Sequence, residues 1–118
     1  MIYEFDGTLT PLPMQEYALF PMMGLDASAF WTEVTKESSE SFADPMLVYM
    51  RLLIEKARER GIRLRKKDFA REAGRIEYYP GVADWFERMN QYTFEKSEGS
   101  VELRHYLISC GNREIIAG

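Results

Sequence analysis

Two short β-forming segments lie near opposite ends of the chain, and helix-like patterns fill the sequence between them. The first covers residues 2–5, and the second covers residues 101–109 with Tyr106-Leu107-Ile108 as its apolar centre. A helical connection between two strands is typical of parallel neighbours in one sheet, because a tight hairpin joins only antiparallel strands. The order strand, helices, strand therefore predicts an α/β fold, of which the two strands are part of a parallel sheet.

Capping residues and apolar periodicity predict four helices between the strands. The start signals are Asp26, Asp44-Pro45, Asp68 and Pro80-Gly81, and the stop signals are Gly61 and Gly74. The helix from Asp44-Pro45 has the strongest pattern, since an N-cap carboxylate precedes a proline at the first helical position. We expect the polar stretch 36–41 to interrupt or end the first helix. Residues 112–118 resemble the opening of a fifth helix.

A sheet of two strands is not stable in isolation, so the predicted fold leaves apolar surface without a partner. Tyr106-Leu107-Ile108 is apolar enough to be buried on both faces of a complete sheet. Without further strands we expect this run, and the Ile115-Ile116 side of the last helix, to stay uncovered. Uncovered apolar faces associate, and we therefore expect a homo-oligomer.

Composition excludes several classes of protein. Fifteen Lys and Arg against nineteen Asp and Glu give a net charge of -4, which argues against a nucleic-acid partner. No apolar run approaches the roughly 20 residues of a membrane-spanning helix, and no membrane partner is expected. The N-terminus lacks the basic and apolar regions of a signal peptide. Cys110 is the only cysteine, which excludes an intramolecular disulfide, and we expect a cytoplasmic location.

The stretch Glu4-Phe5-Asp6-Gly7-Thr8 holds the most informative polar residues. Glu4 and Asp6 share one face of a strand, because side chains alternate with a period of two. Gly7 permits a tight turn, and Thr8 offers a hydroxyl and a backbone N–H. Carboxylates at the end of a parallel strand suit a hard cation such as Mg²⁺. By spacing alone, a solvated turn is the commoner structure for such a pair.

The segment Asp6 to Thr10 resembles the first motif of the haloacid dehalogenase superfamily, Asp-x-Asp-Gly-Thr-Leu/Val after a hydrophobic strand. Tyr106 to Gly111 is similar to the second motif, a hydrophobic strand that ends in Ser or Thr, and 112–118 to the helix that follows it. The helices between the motifs resemble the α-helical cap of one branch, with Pro80-Gly81-Val82 as the return to the core. The resemblance implies core residues 1–20, a cap at 21–92 and a second core segment at 93–118.

The resemblance implies a Mg²⁺-dependent hydrolase acting on a phosphorylated small molecule. Glu4 stands at the position of the nucleophile, which forms an acyl-phosphate, and Asp6 at that of the general acid and base. Glu4 and the backbone carbonyl of Asp6 would also hold the metal. The remaining positions implied to bind phosphate are Thr8, Ser109, Cys110 and Gly111.

Two departures from the family pattern bear on activity. The nucleophile position holds Glu4 instead of Asp, which displaces the attacking oxygen by roughly a bond length; a displacement near 1 Å can cost about 10²-fold in rate. The third-motif Lys and the fourth-motif acidic pair have no counterpart before Gly118. We therefore expect a truncated relative with a weak metal site and little or no phosphatase activity. The alternative is a non-catalytic module, derived from this superfamily, that serves interaction or oligomerisation.

Three further features have a structural and a functional interpretation. A basic cluster at 58–71 suits an anion or phosphate-substrate patch, but a solvated helix end is the favoured interpretation. His105, the only histidine, is expected to be a packing or surface residue and not a catalytic base. Cys110 is expected to be a buried, inert thiol.

Overall fold

Helices dominate the computed structural model, which describes all 118 residues. The single sheet has two strands, β1 (Ile2–Tyr3) and β2 (Tyr106–Leu107), which run parallel. The predicted parallel pairing of segments from the two ends of the chain is confirmed. The chain is therefore mainly helical with one parallel pair of strands. The predicted α/β fold requires a larger sheet and stays a prediction.

Six α-helices and one 3-10 turn make up the regular structure outside the sheet. They are α1 (Met14–Met23), α2 (Ala27–Ser41), α3 (Pro45–Glu59), α4 (Lys66–Glu72), the 3-10 turn Ala73–Arg75, α5 (Val82–Lys96) and α6 (Arg113–Ile116). The caps predicted for α2 and α3 are confirmed. The Asp26 carboxylate accepts a hydrogen bond from Ala29 N at 2.7 Å, and the Asp44 carboxylate accepts one from Met46 N at 2.8 Å. None of the helices combines the length and hydropathy needed to cross a bilayer.

Some helix boundaries differ from the predicted ones. The stretch 36–41 does not interrupt α2 but forms its last turns, and the helix ends at Ser41. Ser39 and Ser41 donate to the carbonyls of Thr35 and Glu37 one turn earlier. These hydroxyls are thus satisfied within the helix and do not compete with it. Helix α4 begins before Asp68, which lies in its first turn, and the chain continues through Gly74 as a 3-10 turn.

The chain divides into two compact units, each built from two separate segments. Residues 1–13 and 77–111 form the first unit, which contains the sheet and α5; residues 14–76 and 112–118 form the second, which contains the other helices. In the second unit, one face each of α1, α2 and α3 is buried, and the rings of Phe20, Phe30 and Trp31 contact one another. The division at residues 20 and 92 stays a prediction.

The second strand is shorter than the sequence predicts. Regular strand structure covers two residues of 101–109, and Tyr106 and Ile108 are 56% and 62% exposed. No further strand pairs with β2, so the apolar run is not buried on both faces. Its expected exposure in an incomplete sheet is confirmed. The same expectation for Ile115 is wrong, since this side chain is 1% exposed.

Phe42 offers a test of backbone strain at the end of α2. It follows the helix with a φ of 54° and its side chain is 97% exposed. The left-handed region costs a non-glycine residue roughly 1–2 kcal/mol, part of which glycine loses again through its larger conformational entropy. We expect Phe42→Gly to raise the free energy of unfolding by about 0.5–1 kcal/mol in urea denaturation.

Glu40→Gly is the matched control, because Glu40 is exposed within the last turn of the same helix. We expect this variant to lower the free energy of unfolding by about 1 kcal/mol. A loss of stability in Phe42→Gly would contradict the assigned strain.

Candidate functional site

The two candidate motifs follow the carboxyl ends of the two strands and therefore lie at the same end of the sheet. Ile2 lies opposite Tyr106 and Tyr3 opposite Leu107, and Ile108 N donates to Tyr3 O at 2.9 Å. The two parallel strands therefore end level with each other. The segment that begins at Glu4 and the segment that begins at Ile108 follow the carboxyl ends of adjacent strands, the position at which α/β sheets commonly bind ligands.

The loop after β1 is organised around one backbone carbonyl. Phe5 O accepts hydrogen bonds from the backbone N–H groups of Thr8, Leu9 and Thr10 at 3.2, 2.9 and 3.3 Å. Gly7 has a φ of +74°, in the left-handed region that favours glycine. The tight turn predicted at Gly7 is thus confirmed, and the loop conformation is fixed by its own backbone.

Burial in this loop follows the alternation expected of its side chains. Phe5 is 2% exposed and its ring contacts Tyr78 edge-on at 6.2 Å between centroids. Its neighbour Glu4 is exposed and Asp6 is half-buried. The two carboxylates therefore flank an inward-pointing phenylalanine, as the period of two predicts.

A threonine that the sequence analysis did not single out holds the end of this loop. Thr10 is fully buried, and its hydroxyl donates to Leu12 O at 2.8 Å. Thr8, the predicted phosphate-binding residue, is exposed and makes its backbone bond to Phe5 O. Thr10 has a structural role in the loop, whereas the Thr8 hydroxyl lies at the surface.

The loop after β2 contains the other predicted phosphate-binding residues. Gly111 N donates to Ser109 Oγ at 3.0 Å, and both residues are half-buried. This bond uses an oxygen lone pair and does not consume the hydroxyl hydrogen, which can be donated to an anion. The prediction that Cys110 is buried is wrong. Its thiol is free and exposed, because β2 ends at Leu107 and Cys110 lies in a bend beyond the strand.

Glu4 and Asp6 are the residues predicted to hold magnesium. No three His, Cys, Asp or Glu side chains come together as a metal-holding group. Magnesium in proteins is commonly held by one or two carboxylates, with water and substrate phosphate completing its coordination. Glu4 and Asp6 supply carboxyl groups of this kind, and metal binding by them stays a prediction.

A chain of hydrogen bonds fixes β1 immediately before Glu4. Trp85 Nε1 donates to Tyr3 Oη at 3.0 Å, Tyr3 Oη lies 2.9 Å from His105 Nδ1, and His105 Nε2 lies 3.0 Å from Asn90 Oδ1. Every contact has one donor and one acceptor when a neutral imidazole carries its proton on Nε2. The His105 ring also stacks on Tyr3. The packing role predicted for His105 is confirmed.

No family model, curated protein or solved structure matches the chain. The resemblance in Asp6 to Thr10 and in Tyr106 to Gly111 is therefore a hypothesis that rests on those residues and on their placement in the fold.

Tyr3→Phe tests the hydrogen-bonded cluster. The change removes the acceptor of Trp85 Nε1–H and the partner of His105 Nδ1, and leaves both groups unpaired in a half-buried position. An unsatisfied buried polar group costs about 1–3 kcal/mol, and because these two groups are half-buried we expect a loss of about 1 kcal/mol in the free energy of unfolding.

Tyr92→Phe is the control, because the Tyr92 side chain is 56% exposed. We expect little change from it in the same denaturation measurement. Equal losses in the two variants would exclude a specific contribution of the Tyr3 hydroxyl.

Proposed function

We propose that the chain carries the nucleophile and the phosphate-anchoring loop of a haloacid dehalogenase-like phosphomonoester hydrolase. The supporting observation is the level, parallel pairing of β1 and β2. Because of this pairing, the loop of Glu4 and Asp6 and the loop of Ser109 both follow the carboxyl ends of the two strands, at one end of the sheet. Turnover in this proposal also requires the Lys and the acidic pair of the family's later motifs.

The proposed chemistry proceeds in two displacements. A Glu4 carboxylate oxygen attacks the phosphorus of a phosphomonoester, the bond from phosphorus to the leaving oxygen breaks, and Asp6 donates a proton to that oxygen. Asp6 then takes a proton from water, which attacks the resulting acyl-phosphate. This step releases inorganic phosphate and restores the Glu4 carboxylate. Magnesium, if held by the Glu4 carboxylate and the Asp6 backbone carbonyl, would neutralise phosphoryl charge.

The second loop would supply hydrogen-bond donors to the transferring group. The Ser109 hydroxyl has its hydrogen left after accepting from Gly111 N. Cys110 and Thr8 are exposed, and so are accessible to a ligand at this end of the sheet. Donors fixed before the reaction stabilise developing charge without a reorganisation cost.

Ligand binding tests the proposal without depending on turnover. In amide NMR spectra of the 118-residue chain, we expect Mg²⁺ to shift the signals of the Glu4–Thr8 loop and inorganic phosphate to shift those of Ser109, Cys110 and Gly111. Glu4→Gln removes the charged oxygen ligand and should abolish the Mg²⁺ response. Asp84→Asn, which removes an exposed carboxylate on α5, is the matched control and should leave that response unchanged.

An equal loss in Asp84→Asn, or no response of these loops to either ion, would contradict the proposed site. Phosphate release provides the second readout. In a chain that also supplies the later motifs, Glu4→Asp should raise the rate by up to about 10²-fold, because it restores the expected reach of the nucleophile. No gain on a broad panel of phosphomonoesters would refute the role of Glu4.

A second candidate function is non-catalytic self-association through the incomplete sheet. The observation that favours it is the exposure of Tyr106 and Leu107 in β2, which has one unpaired edge, and of Ile108 directly after this strand. Edge strands of this kind pair with other chains. A second copy of the chain is the partner expected from the sequence.

Sedimentation measurements on the purified chain test this candidate. We expect a dimer or larger species in the wild type and a shift towards monomer in Ile108→Lys, because a charge on an exposed edge strand opposes pairing. Leu47→Lys is the control, since Leu47 is similarly exposed but lies on α3. A wild-type chain that sediments as a monomer would rule out association through β2.

A further inference from the structure

Basic side chains are concentrated between residues 58 and 71. This stretch holds seven of the fifteen Lys and Arg but two of the nineteen Asp and Glu, and all seven basic residues are exposed. Lys66 pairs with Glu114, and Arg71 pairs with Asp68 and Glu72. The other five form no ion pair and are called here the basic loop: Arg58, Arg60, Arg63, Arg65 and Lys67.

The helix-end interpretation of these charges explains only part of the basic loop. Arg58 lies in the last turn of α3, where a cation complements the helix dipole. Arg65 and Lys67 lie instead at the start of α4, where the dipole is positive and opposes a cation. Their charge is compensated neither by an acidic partner nor by the helix they adjoin. A bound anion would supply that compensation.

An apolar pocket of about 260 Å³ lies beside this loop. Its lining comprises Ile54, Ala57, Arg58, Ile62 and Leu64. In the extended segment after α3, Ile62 and Leu64 are half-buried, whereas Arg63 and Arg65 are exposed. Apolar walls therefore alternate along the chain with guanidinium groups. Such a surface suits a ligand that combines an aliphatic group with negative charge.

The charge of the remaining chain favours a short ligand over a long polyanion. The chain as a whole is acidic, with a net charge of -4, so the surface outside the basic loop would repel an extended nucleic acid or an anionic membrane. Residues 58–67 also contain no aromatic side chain on which bases could stack. A short acidic peptide meets only the cations and the pocket.

We propose that the basic loop and its pocket bind a short acidic peptide segment of a partner protein. One aliphatic side chain of the peptide occupies the space between Ile54, Ile62 and Leu64. Carboxylates on either side of it pair with the guanidinium groups of Arg58, Arg63 and Arg65, which offer a planar pair of donors to each carboxylate. This surface lies in the second unit and does not depend on the proposed hydrolase chemistry.

Fluorescence anisotropy with a labelled peptide tests the proposal on the full chain. The probe is a short run of Asp and Glu with one central leucine. We expect Arg63→Glu/Arg65→Glu to weaken binding at least about tenfold, because each change replaces an attraction by a repulsion. Arg88→Glu/Arg104→Glu reverses two exposed arginines outside the basic loop and is the matched control, expected to bind within about threefold of wild type.

The pocket has a separate readout in the peptide itself. Replacing its leucine by serine should weaken binding about tenfold, since it removes the buried aliphatic group. The proposal is overturned if the leucine and serine peptides bind equally, if both double variants lose affinity alike, or if the peptide does not bind. Tighter binding of a single-stranded oligonucleotide or of phosphatidylserine vesicles would also overturn it, in favour of that class of partner.

Discussion

The parallel pairing of β1 with β2 is the interaction on which the candidate site depends. It joins two strands that are separated in the chain by the five helices α1 to α5. The contact continues beyond the strands, where the Met1 ammonium donates to Arg104 O at 2.6 Å. Closing so long a loop is entropically unfavourable, and two short strands offer few hydrogen bonds in return. The Tyr3, Trp85 and His105 cluster adds side-chain contacts at this point, and thereby helps to keep the two loops at one end of the sheet.

Local signals account for the parts of the fold that the sequence predicts well. The carboxylates of Asp26 and Asp44 accept hydrogen bonds from residues no more than three positions away, so both caps can be predicted without knowledge of the tertiary structure. Helix α1 was not predicted, because it contains Pro21 and begins directly after two prolines. Its stability comes from burial of Met14, Leu19 and Phe20, which no local signal reveals.

The same distinction between local and long-range interactions applies to the candidate site. The turn at Gly7 and the alternation of Glu4, Phe5 and Asp6 are properties of neighbouring residues, and both were predictable. The bond between Trp85 and Tyr3 joins positions 82 residues apart, and no spacing rule identifies it. Exposure of Cys110 likewise depends on where β2 ends, and the pairing of β2 with the distant β1 ends at Leu107.

The position of Cys110 makes the second loop chemically addressable. It is the only thiol of the chain, it is exposed, and it directly follows Ser109. A thiol-specific fluorophore or spin label would therefore attach at one position, within the loop that is proposed to bind phosphate. The same accessibility leaves this loop open to oxidation or to disulfide formation between chains in the absence of a reductant. Preparations of the protein kept without reductant would then contain covalent dimers linked beside the sheet.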